Sequence, residues 1–391
     1  MSRYIGNFMF HPVGHGLFYS GIIKNLSTDK QVSDKQFSFL YDCGGCQKSF
    51  VTKAIDNAVS SNEIDLLIIS HFHADHIKGV LELINSKIKI KTVVLPYLDR
   101  TLKILYIAAL ADKKYDLQTS ESELEELKKF ISDPETFLKD VTEKVYFLSN
   151  DIEGEKLKPD RKTEFGFEWN YKPDKDKKIP ADATLESQLW SFHFFMPKRS
   201  SNFNELEDFF EKQGITCENA IDNWEIIKER IEDLKLNNNI SNLVCAHGPT
   251  DNVFVQKICN NKFIPSEQFR HCMECDFLRH CYHCCLHKGN IGFQFLTGDA
   301  EIDDQKAFLA RYQDYLEKSI LFQVPHHGSE ENWKDWFSED QLFCNLWPVT
   351  HNAKHKYGNG TFPSATFSYI APYSVTECEP TRLGIQIHFD I

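Results

Sequence analysis

Four side chains of metal-ligand type crowd into six residues, His71-Phe72-His73-Ala74-Asp75-His76, directly behind the apolar run of residues 64–70, IDLLIIS. Such a run reads as a strand buried on both faces. Its C-terminal end is where α/β proteins usually place their sites. Four ligand-type groups are costly to bury without partners. A loop at this point can turn His71 and His73 to one metal and Asp75 and His76 to another. Imidazole and carboxylate suit Zn²⁺, and also Mn²⁺ or Fe²⁺.

Two downstream segments supply partners. Residues 295–301, FLTGDAE, place Asp299 at a strand end after Gly298, which allows a tight turn. A carboxylate there can bridge two metals. Residues 324–329, VPHHGS, follow another strand and supply His326 and His327. Each segment alone is a weak signal, because a lone histidine after a strand is more often structural. Together and in this order they are strong.

The surrounding pattern is α/β. Strands are expected at 7–13, 17–23, 37–41, 64–70 and 91–95, with a Gly14-His15-Gly16 turn after the first and Asp42-Cys43-Gly44-Gly45 after the third. Helices are expected at 51–60 and 79–84. Apolar strands alternating with helices suggest an α/β sandwich. Strand-like sequence returns at 241–247, 291–296, 321–324 and 343–349, and the alternating tail 383–391 reads as an edge or closing strand. Hydrophobic residues make up 41% of the chain, enough for a sizeable core. The phenylalanine runs, such as Phe192, Phe194 and Phe195, read as packing within that core.

The expected organisation is one domain over 1–391 with two insertions. Residues 100–235 read as a mainly helical insertion, with charged helical patterns at 121–131 and 204–236 and a lysine- and acid-rich mobile loop at 151–182. Residues 259–290 form a Cys/His-rich insertion. There Cys272/Cys275 and Cys281/Cys284 make two CxxC pairs with five residues between them. The spacing within each pair suits a structural Zn²⁺. The short gap leaves the ligand set open to Cys285, His271, His280, His283 and His287, and an iron–sulfur cluster is a lesser alternative.

The net charge of −13 argues against a nonspecific grip on nucleic acid. It does not exclude a nucleic-acid substrate, since bound cations reverse the sign locally. No apolar run approaches the ~20 residues of a membrane-spanning helix, and the N-terminus lacks an export signal. A soluble, cytoplasmic protein without membrane association is expected.

The order HxHxDH, TGDAE, PHHGS resembles the metallo-β-lactamase superfamily. More narrowly, it is similar to the hydrolase domain of DNA-uptake competence proteins and their free-standing relatives. Val13-Gly14-His15-Gly16 and Tyr41-Asp42-Cys43-Gly44 are similar to that branch's VGQGD and DCG elements. The resemblance covers roughly 5–98, 240–258 and 290–375. It implies an αββα sandwich with two divalent metals, Zn or Mn. His71 and His73 would hold metal 1, Asp75 and His76 metal 2, and Asp299 would bridge. His326 would complete metal 2, with His327 behind it or as an alternative ligand, and Asp42 would lie below the site.

The chain departs from the family in three places. Residues 237–242 lack the histidine that many superfamily members offer to metal 1. His247 is a substitute candidate, although a histidine at a strand end is more often structural. The branch's aspartate in VGQGD is Leu17 here, and its YGHP element reads Tyr357-Gly358-Asn359-Gly360.

The expected chemistry is hydrolysis by a metal-activated water. Asp75 would orient that water, and His327 or Lys356 would help stabilise the developing negative oxygen. The branch implies phosphodiester cleavage of a nucleic acid or nucleotide. The alternatives are a small-molecule hydrolase acting on a thioester, lactone or cyclic nucleotide, and a partner-dependent module of a multi-gene defence or DNA-processing system. In the last, a protein would dock on 100–235. Oxygen redox chemistry is less expected, because His73 stands where iron-type relatives carry glutamate.

Overall fold

A computed structural model describes residues 2–26, 35–112, 119–200, 202–236, 241–260, 292–329, 332, 346–351, 372–376 and 382–391. Two large sheets dominate it. The first runs, in spatial order, through β12 (Phe254–Asn260), β17 (Leu383–Asp390), β1 (Arg3–Phe10), β2 (Phe18–Asn25), β3 (Gln36–Cys43), β4 (Glu63–Ile68), β5 (Lys89–Pro96), β6 (Thr142–Ser149) and β8 (Lys178–Pro180). The second runs through β14 (Ser319–Phe322), β13 (Phe293–Leu296), β11 (Val244–Pro249), β10 (Trp190–Phe195), β9 (Thr184–Glu186) and β7 (Glu168–Trp169). A parallel pair, β15 (Trp347–Thr350) with β16 (Pro372–Val375), continues beside β14, where the Phe322 amide donates to the Leu346 carbonyl at 3.0 Å and the Val324 amide to the Pro348 carbonyl at 2.9 Å.

Strand periodicity sorts the apolar residues into layers. In β4, Leu67 packs in the core under the helices while Leu66 and Ile68 pack in the core between the sheets. In β5, Val93 and Leu95 face the helices and Val94 the sheet. Successive side chains of a strand point to opposite faces, so a strand covered on both sides is apolar throughout.

Helices α1 (Lys48–Ala58), α2 (Ala74–Asn85), α3 (Arg100–Ala109), α4 (Glu121–Ser132), α5 (Pro134–Leu138), α6 (Phe203–Gln213) and α7 (Trp224–Asp233) contribute to the outer core on the first sheet. Helix α8 (Gln305–Leu316) covers the second sheet with Phe308, Tyr312 and Leu316. The result is the expected αββα sandwich.

Two expectations read differently in the structure. The tail strand β17 is not at an edge: it pairs antiparallel with β1 on one side and β12 on the other. Residues 100–235 are helical at their two ends only. Between them, β6 and β8 extend the first sheet, while β7, β9 and β10 join the second. The charged segment 151–182 is anchored by aromatics two residues apart. Phe165 and Phe167 are partly buried, and Trp169 and Tyr171 are buried. Phe167 packs on Phe37 at 4.3 Å between ring centroids, and Trp169 on Tyr146 at 5.5 Å. The surrounding charges mask this period-two stripe when the segment is judged by composition. The Cys/His-rich segment, with Cys272, Cys275, Cys281 and Cys284, lies outside the described residues.

Candidate metal centre

The loop after β4 carries His71 and His73, and helix α2 begins at Ala74, so Asp75 and His76 lie in its first turn. Two glycine turns clamp this loop from outside. A side chain at Gly44 would place its Cβ 1.7 Å from the Asp75 carbonyl oxygen, and one at Gly16 would place it 2.3 Å from the same atom. Only glycine allows both turns to lie on the backbone at Asp75.

Asp299, after β13, stands at the middle of the cluster. Its Oδ1 lies 3.2 Å from His76 Nε2 and 3.5 Å from His327 Nε2. Its Oδ2 lies 3.7 Å from His71 Nε2 and 3.7 Å from His326 Nε2. Asp75 Oδ2 lies 3.3 Å from His327 Nε2 and 3.8 Å from His76 Nε2. His71 Nε2 and His73 Nδ1 are 3.1 Å apart. Potential ligand atoms of His71, His73 and Asp299 fall within 4.8 Å of one another, as do those of His76, Asp299 and His327. All of these but His326 are buried.

The outer nitrogens of the imidazoles are held from behind. Asp42, at φ 52°, accepts from the Ser70 hydroxyl at 2.6 Å and from His76 Nδ1 at 2.8 Å. Because the Ser70 proton is spent on Asp42, its oxygen accepts from His71 Nδ1 at 2.9 Å. His327 Nδ1 donates to the Thr350 carbonyl at 3.0 Å. His326 Nδ1 donates to Asn332 Oδ1 at 2.8 Å, and Asn332 in turn donates to the Asp299 carbonyl. Each Nε2 lone pair is therefore turned inward, the arrangement that orients metal-binding histidines.

The interior is unsatisfied. His76 Nε2, His327 Nε2 and Asp299 Oδ1 are buried and make no hydrogen bond among the described residues. Burial opposes charge on all three groups, yet their mutual field wins. Burial pushes the Asp299 carboxyl up, but His76, His327 and His326 hold it well below the usual carboxylate range. Burial pushes His76 down, but Asp299, Asp75 and Asp42 raise it well above its ordinary value. A cluster that must charge its own histidines asks for positive charge at its centre. A divalent cation fits that demand and the donor set.

Residues 32–144 match the family model of the metallo-beta-lactamase superfamily. The match covers less than a third of the chain and includes the loop that carries His71, His73, Asp75 and His76. No curated protein matches the chain. Among solved structures, this metallo-β-lactamase-like chain is similar to the metallo-beta-lactamase fold protein YhfI from Bacillus subtilis, at 12% identity and a TM-score of 0.23, over 50% of this chain and 55% of that one. It is also similar to an archaeal metallo-beta-lactamase superfamily protein from Sulfolobus tokodaii, at 16% identity and a TM-score of 0.20, over 49% and 56%. The chain thus spans about half the length of each.

The structure brings His71, His73, Asp75 and His76, which lie within the matched segment, together with Asp299, His326 and His327, which lie outside it. It gives the two adjacent histidines different neighbours from those expected. His327, not His326, approaches Asp75 and the Asp299 oxygen shared with His76. His326 approaches the oxygen on the His71 side, and its side chain is 19% exposed. Consecutive residues reach one carboxylate because both are in the left-handed region, His326 at φ 46° and His327 at φ 53°.

His247 is not at the centre. It lies among Phe8, Phe39 and Trp190 in the core between the sheets. Lys356 lies outside the described residues. One residue went unassigned: His15, buried, with Nε2 3.4 Å from Asp75 Oδ2. Its only sequence signal is its place between two turn glycines.

Proposed function

We propose that this chain is a metal-dependent phosphodiesterase or nuclease that uses a water activated between two divalent cations, Mn²⁺ or Zn²⁺. The observation that carries the reading is Asp299, whose two oxygens each face two imidazoles across an unsatisfied buried interior. His71 Nε2, His73 Nδ1 and Asp299 Oδ2 would hold one cation, with His326 Nε2 beside the same Asp299 oxygen as a further donor. Asp75 Oδ2, His76 Nε2, His327 Nε2 and Asp299 Oδ1 would hold the other. Bound there, the pair would lower the pKa of a shared water towards neutrality and act as Lewis acids on the substrate.

The protein groups do the rest. Asp75 accepts a hydrogen bond from the attacking water and orients it. The Asp42–Ser70–His71 and Asp42–His76 hydrogen bonds fix the imidazoles, so the site needs no rearrangement as charge develops. His326, at the exposed side, and Lys356 are the candidates to meet an anionic substrate. Phosphodiester cleavage is supported by the similarity of HxHxDH, TGDAE and PHHGS to the competence-type branch. A net charge of −13 repels polyanions at long range, so the cations themselves would supply much of the attraction.

The cysteine pairs would hold a structural zinc, and residues 100–235 would offer a surface to a protein partner. Among the described residues no helix is long and apolar enough to cross a membrane, and cytoplasmic residence belongs to this proposal.

The test uses labelled single- and double-stranded DNA and RNA with Mn²⁺ or Zn²⁺, beside a His71→Ala/Asp75→Ala variant. Cleavage by the wild type alone is expected. No cleavage under any condition, with turnover of a thioester, lactone or cyclic nucleotide instead, would move the protein to the small-molecule hydrolases.

A further inference from the structure

We propose that His15 is an additional protein ligand of the cation held by Asp75, His76 and His327, so that this half of the centre is built for five or six coordination. The inference rests on the reading that the centre binds divalent cations. It goes beyond that reading by assigning a residue outside the three motifs and a coordination number.

Asp75 Oδ2 lies within 3.3–3.8 Å of three imidazole nitrogens: Nε2 of His327, of His15 and of His76. Ligand atoms of His15, Asp75 and His327 fall within 4.8 Å of one another, and all three residues are buried. The His15 and His327 rings are 4.2 Å apart between centroids, tilted by 37°. Two imidazoles held this close beside one carboxylate oxygen present their nitrogens to a shared volume.

The backbone is built to keep His15 there. Gly14 and Gly16 flank it at φ 75° and 113°, values that L side chains rarely adopt. The Leu17 amide donates to the Asp75 carbonyl at 3.4 Å, and the Gly44 amide donates to the Leu17 carbonyl at 2.9 Å. The loop is therefore tied to the residue whose carboxylate it faces.

The donors on this half become His15 Nε2, Asp75 Oδ2, His76 Nε2, Asp299 Oδ1 and His327 Nε2. A tetrahedral Zn²⁺ centre uses four ligands and needs one position for water. Five protein donors of imidazole and carboxylate type exceed that, and suit an ion that accepts higher coordination, such as Mn²⁺ or Fe²⁺. Among the described residues, the half built on His71 and His73 has no such surplus.

The experiment is titration of the metal-free full chain with Co²⁺ alone, read by visible absorption and X-ray absorption fine structure. Wild type, His15→Ala and His15→Gln are compared. Co²⁺ absorbs more strongly as its coordination number falls. The wild type is expected to bind two Co²⁺, one with a weak band. Both variants are expected to intensify that band and to lose one imidazole scatterer across the pair. The glutamine variant preserves side-chain bulk, and circular dichroism verifies folding of each. If both variants bind less tightly but keep the wild-type band and scatterer count, His15 only positions Asp75 and the proposal is overturned. If the wild type binds no Co²⁺, the metal-dependent function itself fails, a result distinct from the first.

Discussion

Two groups of histidines are buried in this protein, and burial does not tell them apart. His76 and His327 sit at the metal centre. His247 sits between the sheets, as fully enclosed as they are. What differs is the satisfaction of the ring. Trp190 Nε1 donates to His247 Nδ1 at 3.2 Å, and the Tyr19 hydroxyl lies 3.0 Å from its Nε2. Both nitrogens are used, no carboxylate among the described residues shifts the ring, and burial pushes the group down to about 3. His76 and His327 have one nitrogen held and one aimed at carboxylates without a hydrogen bond. Their field raises them against the pull of burial. A core histidine is complete within the chain, whereas a ligand histidine needs something the chain does not supply.

The sharpest way to break this contrast is to remove the carboxylate at its centre. Asp299→Ala should abolish the binding of both cations and lower turnover by about 10³-fold or more, roughly 4 kcal/mol of transition-state stabilisation. The fold should survive, since the buried Asp299 carboxylate faces the ligand histidines and not the apolar clusters of the core. Metal content by mass spectrometry and turnover measured together decide it, and retained activity would end the two-cation reading. Next in size is the pair His327→Ala and His326→Ala. Loss of His327 should release the cation shared with Asp75 and His76. Loss of His326 should weaken only the His71 side. A chelator competition that resolves two binding steps would show whether the two variants affect different steps. Equal effects would mean that the two adjacent rings are not divided between the cations.

Asp42→Asn comes third. Asparagine tolerates the left-handed backbone at this position, so the change removes charge while keeping shape. The carboxylate then no longer holds His76 Nδ1 or anchors Ser70. Groups in this supporting role typically cost 10–100-fold in metal affinity when changed, so about that loss is expected at the His76 step. The same titration measures it. An unchanged affinity would mean that the imidazoles orient themselves without support.

The sequence made the centre legible because its ligands come as short motifs at strand ends, where local spacing carries the information. It could not divide His326 from His327. That depends on two successive left-handed backbone angles, which no side-chain pattern encodes. His15 was hidden for a related reason: a histidine between two glycines looks like any turn until the fold lays the turn on Asp75. The strands of the first sheet were readable wherever apolar runs were long. The stripe Phe165, Phe167, Trp169, Tyr171 was not, because its alternate positions and flanks are polar or charged and composition outweighed periodicity. The tail strand was recognised as a strand but not as an interior one, since its neighbour β12 is contributed by a distant part of the chain.

The smallest effect tests the other side of the contrast, the histidine that is only structural. His247 has its pKa lowered to about 3 in the folded protein, against an ordinary value of 6.5. Between these two values the unfolded chain binds a proton here that the folded chain does not. Stability is therefore unaffected above about pH 6.5 and falls as the pH drops below it, by up to about 1.4 kcal/mol per pH unit for this one group. His11, also lowered to about 3 by burial, pulls in the same direction, so some slope persists without His247. His247→Gln can still accept from Trp190 and donate to Tyr19 but cannot take up the proton. Urea unfolding of metal-free protein between pH 7 and pH 4 should show a shallower loss of stability in the variant, by about one proton. Cation binding at neutral pH should match the wild type. A variant that kept the full acid slope would show that burial does not hold His247 neutral. One that lost a cation would place His247 with the ligands after all, since a ring complete within the core has nothing to give the centre.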